Sequence, residues 1–295
     1  MADKLLISIL IPVKNEEKYI ATCLRSVLEQ SYSWFEALVI DDGSSDRTRD
    51  IVESFQDSRV KLLLNPRAGK VSAFNHGYSL SKGQAIIFLG GDDILPKMSL
   101  ELRARAISMG GPKSQNICAY GQLAFLSEDE KYNGIRKPKD KTKGLRSGGT
   151  LILNRSMADC AFPIPGELPN EDTWVNICVN YLSCSVFEVP DVVLKYRIHE
   201  GNSHNRYLGF SHMNNFLHKR YLAYDIFYKS HRDSLSSSQR KEVQAIAAAE
   251  MLRWNGKSIS ILFNMPVPFK LKFSYFMNSS SFLYRLKLSF MRFLY

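Results

Sequence analysis

Gln84-Ala85-Ile86-Ile87-Phe88-Leu89-Gly90-Gly91-Asp92-Asp93-Ile94-Leu95-Pro96 is an apolar run that stops at two glycines and two carboxylates. Ile86 to Leu89 form an unbroken apolar series, as in a strand of a parallel sheet whose faces are both covered by helices. The glycines allow a tight turn, and Pro96 bars an immediate helix. Asp92 and Asp93 are thereby placed at the carboxyl end of a strand, where open α/β sheets bind their ligands. Two adjacent carboxylates repel each other and need a cation, an arginine or solvent beside them. In isolation, Gly-Gly-Asp-Asp describes a surface turn as well as it describes a metal site. The neighbouring segments decide between the two.

Upstream, Leu5 to Val13 has the same buried-strand character and ends in the polar turn Lys14-Asn15-Glu16-Glu17. From Tyr19 onward, Ile20, Leu24, Val27 and Leu28 recur at helical spacing and predict a helix that stops before Ser31. Phe35 to Ile40 is the next strand, closed by Asp41-Asp42-Gly43-Ser44-Ser45-Asp46, in which Ser44, Ser45 or Asp46 can cap a helix carrying Ile51, Val52 and Phe55. Val60 to Leu64 is a third strand. The loop Asn65-Pro66-Arg67-Ala68-Gly69-Lys70 then leads to a helix over about 71–80. Strands alternating with helices predict right-handed crossovers and an α/β, doubly wound, mainly parallel sheet. Its two acidic strand-end loops and the Arg67–Lys70 loop fall on one edge, which outlines a nucleotide site.

The ordered series Ile11-Pro12-Val13-Lys14-Asn15-Glu16-Glu17, Val39-Ile40-Asp41-Asp42-Gly43-Ser44-Ser45-Asp46, the segment from Gly69 to Gly77 and Phe88-Leu89-Gly90-Gly91-Asp92-Asp93 resembles the family-2 glycosyltransferases of the GT-A fold. Each motif alone is weak, but together and in this order they are specific. The resemblance covers about residues 1–205. It implies an inverting enzyme that moves a sugar from a nucleoside-diphosphate donor, a UDP-sugar foremost, to a hydroxyl of a glycan or lipid-linked acceptor. The implied setting is bacterial surface polysaccharide or lipopolysaccharide synthesis. By the same resemblance, Pro12, Asn15, Glu16 and Asp42 hold the nucleoside, with Asp42 accepting from a base N–H, and Arg67 or Lys70 neutralises phosphate charge. The family's Asp-x-Asp metal motif departs here, because Gly90 stands at its first aspartate. Asp92 matches the second and remains as direct ligand of Mn²⁺ or Mg²⁺, hard ions that one or two carboxylates, diphosphate oxygens and water suffice to hold.

Further along, a helix over 100–109 ends at Gly110-Gly111-Pro112, and Ile117 to Leu126 is a strand. The segment 127–149 is polar and basic and is expected to be a flexible loop. After the strand Leu151-Ile152-Leu153 comes Glu171-Asp172-Thr173-Trp174, which resembles the family's Glu-Asp motif, whose aspartate is the catalytic base; Asp172 takes that role and Glu171 stands beside it. An acidic pair is also good N-terminal helix chemistry, and the two readings are compatible. Strands over 186–189 and 192–196 precede Tyr196-Arg197-Ile198-His199-Glu200-Gly201-Asn202-Ser203. This resembles a family segment in which the histidine, here His199, closes on the metal or diphosphate, with Arg197 and Asp93 as secondary candidates.

The chain has 295 residues, 45% hydrophobic and 23% charged, which excludes extensive disorder and allows one large domain with an appendage. Residues 1–205 are expected to form the catalytic domain, and 206–295 a helical extension rich in basic and aromatic residues. A net charge of +10 points to a polyanionic partner. No recognition motif accompanies it, so nucleic acid is not expected. Cys23, Cys118, Cys160, Cys178 and Cys184 show neither C-x-x-C nor metal spacing, as in a reduced cytoplasmic protein. Met1 to Lys4 lead directly into a strand pattern without the regions of a signal peptide. After Glu250 there is no acidic residue, while basic residues interleave with Phe, Tyr, Leu and Met. A peripheral contact with an anionic membrane, at the inner face of the cytoplasmic membrane, follows from that pattern. Two rivals remain. A nucleotidyltransferase needs a glycine- and arginine-rich triphosphate loop, which Lys14-Asn15-Glu16-Glu17 is not; Gly90 makes a non-catalytic sugar-nucleotide or glycan-binding protein the other.

Overall fold

Four apolar runs pair in parallel: β1 (Ile7–Val13), β2 (Phe35–Asp41), β3 (Val60–Leu64) and β4 (Ala85–Phe88). β1 lies between β2 and β4, with Ile7 opposite both Phe35 and Ala85. The computed structural model describes residues 5–110, 115–199 and 209–293. Met1–Lys4, Gly111, Pro112 and the motif residues Glu200, Gly201, Asn202 and Ser203 lie outside them. The chain divides into two compact units, Met1–Ile164 with Cys178–Asn202, and Pro165–Ile177 with Ser203–Tyr295.

In the first unit, α1 (Ile20–Leu28), α2 (Thr48–Glu53), α3 (Lys70–Leu80), α4 (Ser99–Ser108) and α5 (Arg155–Ala161) accompany the sheet. α1 buries Ile20, Leu24 and Val27 of the predicted stripe together with Cys23, while Leu28 is partly buried. Each fully buried Ile, Leu or Val of this core contributes on the order of 1.5–3 kcal/mol by leaving water. β5 (Ile117–Leu126), β6 (Arg136–Lys137), β7 (Leu151–Asn154) and β8 (Ser185–Arg197) complete the sheet in the order β3-β2-β1-β4-β7-β5-β6, with β8 on β5. β7 runs antiparallel to β4 and β5, whereas β8 runs parallel to β5. The sheet is therefore mainly parallel in its first half and mixed in its second.

Two expectations change. The strands expected over 186–189 and 192–196 are one strand, β8, whose register on β5 shifts between Tyr120 and Leu123. Pro190, lacking an N–H, falls at that irregularity, where a proline is tolerated within a sheet. The segment 127–149 is fastened rather than loose. Leu145 N–H donates to the Gly121 carbonyl (2.8 Å), Gly144 N–H to Glu188 Oε2 (2.6 Å), and Arg146 pairs with Glu188 Oε1 (2.6 Å). A Cβ at Gly144 would meet the Tyr120 carbonyl oxygen at 2.0 Å, so only glycine allows that approach.

In the second unit, α6 (Asp172–Tyr181) begins, and α7 (Phe210–His231), α8 (Ser237–Trp254), α9 (Ser258–Asn264), α10 (Phe269–Met277) and α11 (Ser281–Phe293) follow. Ser236 and Gln239 close a capping box at the start of α8. Ala245, Ile246, Ala249, Ile261, Val267 and Tyr275 form a core of their own. In the same unit Arg253, fully buried, grips Glu250 through Nε (2.7 Å) and Nη2 (2.6 Å).

Candidate functional site

The carboxyl ends of β1, β2 and β4 carry the candidate residues. Pro12 lies two residues past the last β1–β4 pair, Leu10 with Phe88, and its place opposite Ile40 on β2 is kept. Its missing N–H would have pointed toward β4, which has already ended, so proline costs the ladder nothing there. The chain then turns through Asn15 at φ 56°, a left-handed conformation that asparagine tolerates better than most residues. Asn15 N–H donates to Ser44 Oγ (3.0 Å), and Ser45 N–H donates to Asn15 Oδ1 (2.8 Å). Glu16 N–H donates to Thr48 Oγ1 (2.7 Å). Two of the three residues expected to cap the second helix, Ser44 and Ser45, thus tie two strand-end loops together, while the third, Asp46, accepts from Thr48 N–H (3.0 Å) at the start of α2.

Adjacent aspartates after β2 have separate duties. Asp41 is buried; Gly43 and Ser44 N–H groups donate to it, and Arg49 Nε lies 2.7 Å from Oδ2. Burial pushes its carboxyl up, but the bonds from Ser44 and Arg49 outweigh this and hold it below the usual range. Asp42 Oδ1 accepts from Asn65 Nδ2 (2.7 Å) and Gly69 N–H (2.8 Å). It therefore fastens the basic loop, in which Arg67 and Lys70 are exposed. Lys70 Nζ lies 5.5 Å from the Phe74 ring centre, and its charge reaches Asp93.

At the end of β4 the candidates converge. His199 Nε2 lies 3.0 Å from Asp92 Oδ2. Arg197 Nε donates to the Asp92 carbonyl (2.8 Å), and Arg197 N–H to Asp93 Oδ1 (2.9 Å). Asp93 is buried; desolvation, then the Asp92 charge, push its carboxyl well up. Ile94 and Lys195 exchange backbone hydrogen bonds, which pins the end of β8 to this turn. Tyr19 escaped the sequence reading. Its ring lies 4.7 Å beneath the Arg197 guanidinium and 5.0 Å from the His199 ring, so it braces both. Its position just after Lys14-Asn15-Glu16-Glu17 was the available signal.

Gly90 leaves room for the two carboxylates that follow it. A Cβ there would meet Asp92 Oδ1 at 2.6 Å and Asp93 Oδ2 at 3.1 Å. Gly90→Asp, which rebuilds the Asp-x-Asp pattern on paper, is therefore expected to push the Asp92 carboxylate off His199 and to lower turnover about tenfold or more. Steady-state rates of the variant that equal or exceed the parent's would refute this.

Glu16 is a second carboxyl of the cluster that is held above its ordinary range. Burial first, then the charges of Asp92 and Asp46, raise it from 4.5 to about 7. The folded state then binds this proton more tightly than the unfolded state. The corresponding stability is fully present below the unfolded value of 4.5 and is lost as pH rises through about 7. Glu16→Gln cannot ionise. In metal-free protein its Tm should gain about 2–4 °C on the parent between about pH 5 and pH 8, a modest figure because solvent screens this half-exposed group. Parallel Tm curves for the two proteins would count against the assignment.

The Asp92 carboxylate suits Mn²⁺ or Mg²⁺ sharing its shell with diphosphate and water, and the His199 imidazole nitrogen favours Mn²⁺ of the two. Among the described residues no three or more His, Cys, Asp or Glu side chains gather to hold a metal by themselves. In the second unit, Asp172 is the first residue of α6, and Arg220 Nη2 lies 4.0 Å from its Oδ2. Arg220 Nε donates to Thr173 Oγ1 (2.6 Å), and Asn176 Nδ2 to the Asp172 carbonyl (2.8 Å). Glu171 is buried, and its carbonyl accepts from Val175 N–H.

Residues 8–150 match the family described as Glycosyl transferase family 2. A relative from Escherichia coli, the UDP-Glc:alpha-D-GlcNAc-diphosphoundecaprenol beta-1,3-glucosyltransferase WfgD, is 32% identical over 68% of this chain and 80% of its own length. The putative glycosyltransferase EpsH of Bacillus subtilis is 27% identical over 68% of this chain and 63% of its own length. Among solved structures, S. aureus TarS 1-349 in complex with UDP-GlcNAc superposes with a TM-score of 0.63 over 93% of this chain and 79% of that one, at 19% identity. That likeness speaks to the fold.

Proposed function

Since the chain belongs to glycosyltransferase family 2 and is a glycosyltransferase with a nucleotide-sugar donor, we propose that it transfers a hexose, with inversion, from a UDP-sugar to a hydroxyl of a lipid-linked glycan. The observation that carries this reading is the 3.0 Å approach of His199 to Asp92 at the end of β4, within loops tied together by Asn15 and Asp42. WfgD, as its name states, takes UDP-Glc as donor and GlcNAc-diphosphoundecaprenol as acceptor, which supports the same classes here. With such an acceptor, transfer takes place at the cytoplasmic face of a membrane and serves surface polysaccharide synthesis.

Asn15, Glu16 and Asp42, with Pro12 shaping the turn, hold the nucleoside. Arg67 and Lys70 lie against diphosphate charge. Asp92 and His199 would hold Mn²⁺ or Mg²⁺, which as a Lewis acid stabilises the departing diphosphate. Asp93 accepts the Arg197 N–H and so fixes the backbone that carries His199. Asp172 accepts the proton of the acceptor hydroxyl as its oxygen bonds to the anomeric carbon and the bond to the diphosphate oxygen breaks. One displacement inverts the centre, and Glu171 supports the base from the residue before it.

Calorimetric titration with UDP-, GDP- and dTDP-sugars, with and without Mn²⁺, tests the donor assignment. UDP-sugars should bind, and Asp92→Ala or excess chelator should weaken them at least about tenfold. Equal binding by Asp92→Ala in chelator removes the metal role; a preference for another base removes the UDP assignment.

A further inference from the structure

α9, α10 and α11 each bury one side and leave an apolar stripe in water on the other. Ile261, Tyr275, Met277 and Tyr284 are buried, and these serve the unit's own packing. Facing solvent at helical i, i+4 spacing are Ile259 and Phe263 on α9, Phe269 and Phe273 on α10, and Phe282, Leu286 and Phe290 on α11. Phe263 is 80% exposed, Phe269 77% and Phe282 73%. Among the described side chains of α11 the exposed set is Ser281, Phe282, Arg285, Leu286, Ser289 and Phe290, one continuous helix face that joins aromatic residues to a cation. Lys257 and Lys270 are exposed beside the other two stripes. α10 packs with both α9 and α11, so the three stripes belong to neighbouring helices. Contiguous exposed aromatic surface of this kind marks an interaction site.

Charge selects the occupant. From Met251 onward the sequence holds no Asp or Glu, while Lys257, Lys270, Lys272, Arg285 and Lys287 carry positive charge. A second copy docking by two-fold symmetry would bring like charges together. No helix among the described residues is long and apolar enough to cross a bilayer. Short helices with exposed Phe and Leu flanked by Lys and Arg suit the interface of a bilayer, aromatic rings among the acyl chains and cations at the phosphates. We infer that α9–α11 form a surface that binds anionic lipid headgroups and inserts Phe263, Phe269, Phe273, Phe282 and Phe290 into the membrane interface. This extends the reading of a membrane-borne acceptor, and its test uses neither donor nor acceptor, so that its failure leaves that reading standing.

The test is flotation of the full chain with vesicles of phosphatidylcholine alone or with about one-third phosphatidylglycerol. The parent should float with the anionic vesicles and remain below with the neutral ones, and high salt should release part of it. Phe269→Ser/Phe273→Ser and Phe282→Ser/Phe290→Ser should each lower the partition coefficient about tenfold or more, and Lys270→Glu/Arg285→Glu comparably, with unchanged circular dichroism. These side chains are exposed, so the substitutions spare the core. Absence of flotation, equal flotation with both vesicle types, or serine variants that float like the parent would each overturn the inference. So would sedimentation velocity that shows a dimer broken by the same serine variants, since a second copy would then be the occupant.

Discussion

Asp172→Asn is expected to bind its nucleotide-sugar donor like the parent and to turn over about 10²–10⁴-fold more slowly, the usual worth of a positioned general base. The substitution keeps the shape, but an amide cannot take the acceptor's proton. The surroundings suit a fixed carboxylate. Asp172 opens α6, Arg220 Nη2 stands 4.0 Å from Oδ2, and the same guanidinium holds the neighbouring Thr173 hydroxyl at 2.6 Å. The measurements are donor affinity by calorimetry, kcat and KM for transfer, and Tm. A base gives a loss confined to kcat with Tm unchanged. Were donor affinity, Tm and kcat to fall together, Asp172 would be the N-terminal support of α6 and the base would lie elsewhere.

Arg253→Met should destabilise the second unit by about 3–5 kcal/mol, the cost of leaving a buried carboxylate without its cation. Arg253 has no exposed surface and Glu250 is 3% exposed, and the two meet through paired bonds of 2.6 and 2.7 Å. Arg253 also binds the Asn214 side chain and, at 3.3 Å, the Asn278 carbonyl, so one guanidinium joins α7, α8 and the end of α10. His218 Nδ1, 3.4 Å from Glu250 Oε1, is a weaker substitute partner. Chemical unfolding followed by circular dichroism reads the loss. Glu250→Leu/Arg253→Met removes both charges and should recover much of it, because a buried ion pair replaced by apolar side chains is often neutral. A single variant within about 1 kcal/mol of the parent would show that the pair does not hold the unit together.

Much of this protein was legible along the chain because the deciding interactions are local. The strand runs of β1, β2, β3 and β4 announce themselves by apolar continuity, α1 by its period, and the turns by Gly43, Gly69 and the Gly90-Gly91 pair. The carboxylates at the ends of β2 and β4 follow from the same patterns, since a parallel strand delivers its last residues to one edge. The glycine at position 90 was visible as well, but its meaning was not. Only the folded backbone shows that a Cβ there would collide with Asp92 Oδ1.

What tertiary structure decided depends on residues far apart in sequence. That β7 runs antiparallel between β4 and β5, and that β8 spans Ser185–Arg197 unbroken, rests on partners the local sequence does not name. The segment 127–149 looked loose because its composition is polar, yet Glu188 and Gly121, distant in sequence, hold it in place. Ser44 and Ser45 looked like helix caps, and the fold gave them to Asn15 instead. The site itself joins Asp92 to His199, 107 positions away, with Tyr19 braced against Arg197. Periodicity reports which side of an element meets the core, but the pairing of side chains across such separations is set by the packing of whole elements, and only their three-dimensional arrangement reveals it.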